Sequence, residues 1–325
     1  MKLNERVAQK AAELGFTGFG VCSAEPFEDW KRANETRHAM GHGRLIPVQA
    51  DPQEVLPGAR AILVVTWPYR PFGELPAGSV FVPAYYFADT KANRALNELV
   101  DFLKAEGVSV KPTGRIPLKA AAVRAGVGSY THHGLLVRER EGTYTVIKAM
   151  LTDSDAFDFT DAAPEICSGC GACRDHCPTG AIQPDGHTNI NLCLREMMRP
   201  GVEIEPAYYE TVGNRVLGCE ECQLCCPCNR MERDSYTDEM AKLFSCETLL
   251  GAEGEAREAA ERDVRAFMGS YGDYENLRSH AILAAGNTGD KKYLPDLQKI
   301  AETEEGANQR YAHWAIAKIS GAAES

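Results

Sequence analysis

Short apolar runs and amphipathic stretches alternate along the first half of this chain. Residues 18–22 and 61–65 are apolar and bounded by Gly or Pro, which is typical of buried strands. The runs 134–137 and 144–147 flank Glu141-Gly142, and this pattern predicts a hairpin. Amphipathic helices are predicted where apolar residues recur at helical spacing, over residues 3–14 and 91–103. Strands interleaved with helices predict an α/β domain over residues 1–156.

The end of the chain has a different pattern. Two alanine-rich stretches, 278–286 and 310–318, have helical periodicity, and residues 294–300 form a further helical stretch between them. Alanine-rich helices at this spacing resemble a short HEAT-like helical repeat. We therefore expect a helical tail over residues 246–325.

Between these parts, residues 157–245 show little apolar periodicity and contain many Gly, Pro and Cys residues. A segment of this composition is held by metal rather than by a core. The whole chain is thus predicted to be an α+β multidomain protein with an N-terminal α/β domain, a ferredoxin-like two-cluster domain and a HEAT-like tail.

Eight cysteines in the middle segment have the spacing of iron–sulfur ligands. Two residues between ligands is about what one tight turn spans, and in bacterial two-cluster ferredoxins the Cys before Pro ligates the other cluster. A zinc ribbon or a disulfide framework is the alternative, but neither explains two crossed Cys-Pro positions. The spacing therefore predicts two 4Fe–4S clusters, one held by Cys167, Cys170, Cys173 and Cys226 and the other by Cys177, Cys193, Cys219 and Cys222. Cys225 also has ligand spacing and could replace Cys226.

Composition and charge narrow the function. The formal net charge of −11 disfavours a broad phosphate-binding surface, although a local basic patch remains compatible with it. No apolar run is long enough for a membrane span and no export signal is recognisable, so we expect a cytoplasmic protein without a membrane partner. Neither a dinucleotide-binding fingerprint nor a Walker A motif occurs, so the sequence gives no support for dinucleotide or nucleotide binding.

The order of several motifs resembles the epoxyqueuosine reductase family over nearly the whole chain. The matching stretches are Leu56-Pro57-Gly58-Ala59-Arg60, Arg124-Ala125-Gly126-Val127-Gly128, Leu151-Thr152-Asp153, Cys177-Pro178-Thr179-Gly180-Ala181-Ile182 and Gly213 to Leu224. The resemblance implies a cobalamin-dependent reductase in which two 4Fe–4S clusters supply electrons to a base-off corrinoid that reduces the substrate. It also implies a low-potential ferredoxin- or flavodoxin-type electron donor, and tRNA as a possible partner. The corrinoid-binding residues it suggests are Thr113, Gly114, Arg124, Ala125, Gly126, Gly128, Thr179 and Ala181.

One departure from the family concerns the proton donor. Alignment on Arg124-Ala125-Gly126 brings Pro112 to the position of the family's catalytic aspartate, and proline has no ionisable group. Imidazole titrates near neutral pH, so His132 and His133 are candidate proton donors, with Tyr130 beside them. The sequence therefore predicts the family's electron path with a different catalytic acid and an undetermined substrate.

Two other functions remain open at this stage. The first is a cytosolic two-cluster electron-transfer protein that binds no corrinoid. The second is a metal-stabilised interaction module whose helical tail binds a protein partner.

Overall fold

The computed structural model describes residues 2–321 of the 325-residue chain. Within them the strands are β1 (Gly18–Ser23), β2 (Ala61–Pro68), β3 (Lys111–Thr113), β4 (Ser129–Tyr130), β5 (Leu136–Val137) and β6 (Thr145–Thr152). Besides short 3₁₀ turns, the helices are α1 (Leu3–Glu13), α2 (Glu28–Ala39), α3 (Ala84–Ala105), α4 (Leu118–Arg124), α5 (Ala172–Asp175), α6 (Leu194–Met197), α7 (Tyr209–Val212), α8 (Glu221–Leu224), α9 (Asp238–Leu243), α10 (Cys246–Gly251), α11 (Gly254–Met268), α12 (Tyr274–Thr288), α13 (Leu294–Thr303) and α14 (Ala307–Ser320). The fold is α+β, as the sequence predicts.

The chain divides into two compact units. The first contains the residues up to 70 together with 88–191 and 221–232, and the second contains 71–87, 192–220 and the residues from 233 onward. The predicted division into domains 1–156, 157–245 and 246–325 stays a prediction.

A four-stranded antiparallel sheet organises the first unit. Its order is β1-β2-β6-β3, with Gly18 opposite Thr66 and Ala61 opposite Thr152. The central strand β2 is buried over its first six residues, because both of its neighbours and the flanking helices cover it. The edge strand β3 is short and contains Pro112, a residue that an edge strand tolerates because one side needs no donor. The α/β pattern predicted for this region is therefore realised as an antiparallel α+β sheet.

Helix α4 packs against one face of this sheet. Its small residues Ala121 and Ala122 are fully buried and let the helix backbone approach Ile62, Val64 and Leu151 closely. Burial of this apolar face stabilises the unit by roughly 25 cal/mol for each Å² removed from water.

The predicted helices and strands of the first unit are confirmed. The predicted hairpin is present only as its turn: the Arg138 N–H donates to the Gly142 carbonyl at 2.8 Å and the Gly142 N–H donates to the Arg138 carbonyl at 3.0 Å, but the two flanking strands do not pair with each other. β5 pairs with β4, not with β6, and β6 pairs with β2 and β3. The physical reason is the turn at Thr131, whose hydroxyl accepts from the Leu135 N–H at 3.1 Å and donates to the Leu135 carbonyl at 2.9 Å. This local closure supplies β5 with a partner upstream and leaves β6 available to the sheet.

The second unit is built on three helices of the C-terminal tail. The alanine-rich stretches form α12 and α14, which pack against each other. They approach closely because Gly286 of α12 has no side chain, and a β-carbon there would lie 2.7 Å from the Trp314 ring. Asp273 caps the start of α12 by accepting a hydrogen bond from the Asn276 N–H at 3.2 Å. The buried Arg278 forms an ion pair with Glu304 that links α12 to the segment after α13.

Side chains of these tail helices hold the irregular loop 198–213. The Asn287 amide donates to the carbonyls of Tyr209 at 2.8 Å and Gly213 at 3.1 Å. The Tyr311 hydroxyl accepts from the Ile204 N–H at 2.7 Å, and Asn276 donates to the Met198 carbonyl at 3.2 Å. These bonds satisfy loop backbone groups that would otherwise be buried without partners. None of the helices between residues 3 and 320 offers a stretch of the length and hydropathy that a lipid bilayer requires.

Candidate metal centre

The first run of cysteines lies on one loop of the first unit. Cys167 is half-buried, Cys170 is exposed, and Cys173 is buried at the start of α5. The Cys173 sulfur interacts electrostatically with both other thiols, and burial raises its pKa. The structure therefore brings together the three loop ligands of the first predicted cluster.

A second cysteine segment of the first unit lies beside this loop. α8 packs against α5, and Cys226 follows shortly after α8 and interacts with Cys167. Burial raises the pKa of the Cys226 thiol to about 11. Cys225 in turn interacts with Cys173 and Cys170. Both residues therefore stand close enough to the loop to be its fourth ligand, and the choice of Cys226 stays a prediction.

Among residues 2–321, no three His, Cys, Asp or Glu side chains converge on a position for a single metal ion. In a 4Fe–4S cluster the four cysteines ligate separate iron atoms.

Cys177 has a surrounding that favours the thiolate. The backbone N–H groups of Thr179, Ala181 and Ile182 hydrogen-bond its sulfur, and the Thr179 hydroxyl lies 3.7 Å away. Burial alone raises the pKa of this thiol, but the hydrogen bonds together outweigh burial and lower it. Thr179 and Ala181, which the family resemblance suggests as cofactor-binding residues, thus direct their backbone donors at a predicted cluster ligand.

A polar network joins residues 221–232 to the rest of the first unit. We call it the Thr143 clamp and define it as Thr143, Gln223 and Asn229. The Thr143 hydroxyl accepts from the Gln223 amide at 3.0 Å and from the Asn229 amide at 2.9 Å. The Thr143 N–H donates to the Asn229 amide oxygen at 2.7 Å. A β-carbon on Gly142, whose φ is 57°, would lie 2.0 Å from that oxygen. Only glycine therefore permits this approach.

The two remaining cysteines of the second predicted cluster lie in the second unit. Cys193 is the residue immediately before α6, and Cys219 follows Gly218, six residues beyond the 198–213 loop that the tail helices hold. Both are half-buried. Cys177 and Cys222 belong to the first unit, so the grouping of these four ligands stays a prediction.

Glu220 is a buried carboxyl that the sequence analysis did not single out. Only 3% of its surface is exposed, and one of its oxygens has no hydrogen-bond partner among the described residues. Burial raises its pKa to about 8. The sequence feature that could have drawn attention to Glu220 is its position between Cys219 and Cys222, two predicted cluster ligands.

Arg124 directs its guanidinium into the protein. Its nitrogens donate to the carbonyls of Glu25 at 2.6 Å, Pro26 at 3.1 Å and Ser23 at 3.3 Å, and its charge lies 3.7 Å above the centre of the Phe27 ring. This arrangement anchors the end of α4 to the segment after β1. Its contact with a corrinoid stays a prediction, and its donors already bond to these three carbonyls.

The glycine loop after α4 is also engaged with the protein's own backbone. A β-carbon on Gly126, whose φ is 67°, would lie 1.9 Å from the Asp161 carbonyl oxygen, and one on Gly128 would lie 2.5 Å from the Val137 carbonyl oxygen. Ala125 is buried, and its carbonyl accepts from the Thr160 hydroxyl at 2.7 Å. Close packing within the unit explains why these positions are small.

The stretch that aligns with the family's acid lies at the sheet edge. Pro112, in β3, is exposed and lies opposite Met150 of β6. The Thr113 hydroxyl accepts from the Arg115 N–H at 3.0 Å. Gly114 is exposed, and a β-carbon there would meet no atom within 4 Å. Of the predicted corrinoid-binding residues, Gly114 alone is exposed, and Thr113 beside it is half-buried.

The candidate proton donors lie around the turn between β4 and β5. His133 is buried, and its Nδ1 atom lies 3.2 Å from the Thr131 hydroxyl. Burial, aided by the charge of Lys119 and by His132, lowers the pKa of His133 to about 4. His132 is half-buried with no hydrogen-bond partner for Nε2 among the described residues, and Tyr130 is 40% exposed.

Comparison with known proteins agrees with an iron–sulfur segment for two clusters. Residues 166–229 match the family model described as a 4Fe–4S double cluster binding domain. The chain is 28% identical to an epoxyqueuosine reductase of Staphylococcus aureus, over 98% of this chain and 90% of the relative. It is 25% identical to the Bacillus subtilis enzyme, over 98% of this chain and 88% of the relative.

Among solved structures, an epoxyqueuosine reductase crystallised with an epoxyqueuosine-modified tRNA-Tyr stem loop superposes with a TM-score of 0.83. The two proteins are 23% identical, and the match covers 98% of this chain and 90% of the other. At this identity the match establishes the fold alone. The chain is thus similar to epoxyqueuosine reductases over nearly its whole length, and it is an oxidoreductase.

Proposed function

We propose that this protein is a cytoplasmic iron–sulfur reductase that would hold two 4Fe–4S clusters as its source of electrons, together with the cobalamin that the family resemblance implies as its reducing group. The observation that carries the proposal is the occurrence of both cysteine runs in a chain that matches epoxyqueuosine reductases over 98% of its length. A ferredoxin- or flavodoxin-type protein would supply the electrons.

The cysteine segments fit the clusters well. The loop of Cys167, Cys170 and Cys173 stands beside Cys226, and hydrogen bonds stabilise the thiolate of Cys177. When bound, the clusters supply single-electron transfer at low potential. In this proposal, residues 157–245 form a ferredoxin-like domain, residues 1–156 bind the corrinoid and substrate, and residues 246–325 form a HEAT-like tail.

The residues suggested for cobalamin fit less well. Arg124, Gly126 and Gly128 are engaged with backbone carbonyls of the first unit, so they offer no open donor or gap. Gly114 borders open space and is compatible with a large ligand. Cobalamin therefore enters the proposal through the family resemblance, and no step is derived from these residues.

Proton donation is assigned among the candidate residues by their environment. A pKa near 4 keeps His133 neutral at pH 7, so it can orient a neighbour but does not store a proton. His132 is only half-buried and sits on the same turn, with Tyr130 two residues before it. We assign the proton donor to His132, with His133 and Tyr130 in supporting roles.

A tRNA substrate requires positive charge near the cluster segments. Of the arginines concentrated there, Arg195 is exposed and lies 3.7 Å from a Glu196 carboxylate oxygen, Arg199 pairs with the same carboxylate, and Arg230 and Arg233 are exposed. Exposed guanidinium groups of this kind would contact a phosphate backbone. We propose tRNA as the partner on this ground and on the substrate of the relatives.

The test is an anaerobic reconstitution with iron and sulfide followed by a cobalamin titration. We expect about eight irons per chain, an absorption spectrum of base-off corrinoid on binding, and reduction of epoxyqueuosine in tRNA. Two intact clusters with no corrinoid binding would refute the cobalamin part. Zinc in place of iron would refute the whole proposal.

One alternative has an observation in its favour. If Arg124, Gly126 and Gly128 serve only the packing of the first unit, the protein is a two-cluster electron-transfer protein without corrinoid. The same titration separates the two functions, because the alternative predicts intact clusters and an unchanged cobalamin spectrum.

A further inference from the structure

Leu217 has an unusual backbone conformation two residues before a predicted cluster ligand. Its φ is 70°, and no other non-glycine residue among those described has a positive φ. A leucine pays a steric cost in this left-handed region, because its β-carbon crowds the backbone. Such strain persists only where the surroundings impose it. Cys219 is the ligand whose position this conformation affects.

Contacts on both sides of Leu217 impose the conformation. The Tyr86 hydroxyl donates to the Leu217 carbonyl at 2.8 Å. The Val216 N–H donates to the Phe81 carbonyl at 2.8 Å. Gly218 lies so close to Pro83 that a β-carbon would be 2.9 Å from its ring. Residues 216–218 are therefore fixed against the 81–86 segment of the same unit.

The same Tyr86 hydroxyl also reaches the segment of the other ligand. The Arg195 side chain hydrogen-bonds to the Tyr86 oxygen, and Arg195 is two residues beyond Cys193 and interacts with its sulfur. The Tyr86 ring is 96% buried and packs against Tyr271, with the ring centres 4.9 Å apart. One buried phenol thus links the segments of Cys193 and Cys219.

We propose that Tyr86 is a positioning residue for the second cluster, acting through Leu217 on Cys219 and through Arg195 on Cys193. This inference rests on the proposed function, because it assumes that both cysteines ligate iron. Its content is that a single hydroxyl sets the distance between two ligand segments that are 26 residues apart, from 193 to 219.

The test uses the anaerobically purified two-cluster protein and three variants, Tyr86→Phe, Leu217→Gly and the double variant. Phenylalanine removes the hydroxyl and keeps the ring. We expect Tyr86→Phe to release iron from one cluster to a chelator about tenfold faster, as the loss of one buried hydrogen bond would give. That cluster's midpoint potential, measured by an EPR-monitored titration, should shift as well. Glycine adopts a positive φ without strain. The added Leu217→Gly should therefore slow iron release in the double variant most of the way back to the parent rate.

Tyr85→Phe is the matched control, since it removes a hydroxyl from the adjacent residue of the same helix. It should release iron at the parent rate. Parent-like iron release and potential in Tyr86→Phe would overturn the inference, and so would a double variant as fast as Tyr86→Phe. A parent protein that holds no iron–sulfur clusters would instead refute the proposed function.

Discussion

Removal of one hydroxyl from the Thr143 clamp should loosen the segment that carries Cys222 and Cys226. Thr143→Val keeps the side-chain shape and deletes the oxygen that accepts from Gln223 at 3.0 Å and Asn229 at 2.9 Å. Each amide keeps another acceptor, the Thr143 carbonyl at 3.2 Å and the Gln223 carbonyl at 2.7 Å, so neither is left without a partner. The cost is therefore about 0.5–1.5 kcal/mol for each bond, or about 1–3 kcal/mol in total.

Hydrogen exchange of residues 221–232 measures this cost directly. A loss of about 1–3 kcal/mol makes opening about 5- to 140-fold more frequent, so these amides should exchange faster by that factor. Thr143→Ser keeps the hydroxyl and should exchange within a few-fold of the parent. Asn97→Ala, on the exposed face of α3, is the control for a general loss of stability. Exchange in Thr143→Val equal to that in Thr143→Ser would show that the hydroxyl does not hold the segment.

Four further predictions follow from single residues. Cys170→Ala should lose about four of eight irons with the N-terminal sheet still folded, and an unchanged iron content would contradict its assignment as a ligand. Gly126→Ala should destabilise the first unit by several kcal/mol in chemical unfolding, because its β-carbon would overlap the Asp161 carbonyl; a parent-like midpoint would contradict this packing. Burial lowers the pKa of His280 to about 4, below its unfolded value of about 6.5. The free energy of unfolding should therefore fall by on the order of 3 kcal/mol as the pH drops from the unfolded value to the folded one. His280→Gln should remove this dependence of stability on pH, and an unchanged dependence would exclude His280 as its source. Pro112→Asp should change activity on epoxyqueuosine tRNA, and an unaltered rate would indicate that this position does not face the substrate.

Much of the first unit could be predicted from local pattern. β1 and β2 follow from their apolar runs, and α1 and α3 from helical periodicity, because burial of one face imposes a period on the sequence. The cysteine loop is equally readable, since ligand spacing is a local property. α12 and α14 were also visible as alanine-rich stretches.

The pairing of strands and the partners of individual side chains cannot be predicted from local pattern. The β4–β5 pairing depends on the Thr131 turn, and strand partners in general depend on contacts distant in sequence. Arg124 illustrates the same limit: its sequence neighbours suggested a ligand contact, while its actual partners are carbonyls about a hundred positions earlier in the chain. Glu220 and Leu217 carry no sequence signal strong enough to reveal their burial or strain.

The hydrogen bonds from the tail helices to loop 198–213 have a practical consequence for protein engineering. Shortening the chain before α12 to obtain a smaller electron carrier would strip this loop of the donors from Asn276 and Asn287 and of the acceptor on Tyr311. It would also bare the Tyr209 ring, which stacks edge-on with Tyr311 at 5.2 Å. In a deletion series, loss of the last helices should therefore also release the iron that Cys193 is predicted to ligate. A minimal redox protein would have to retain these helices.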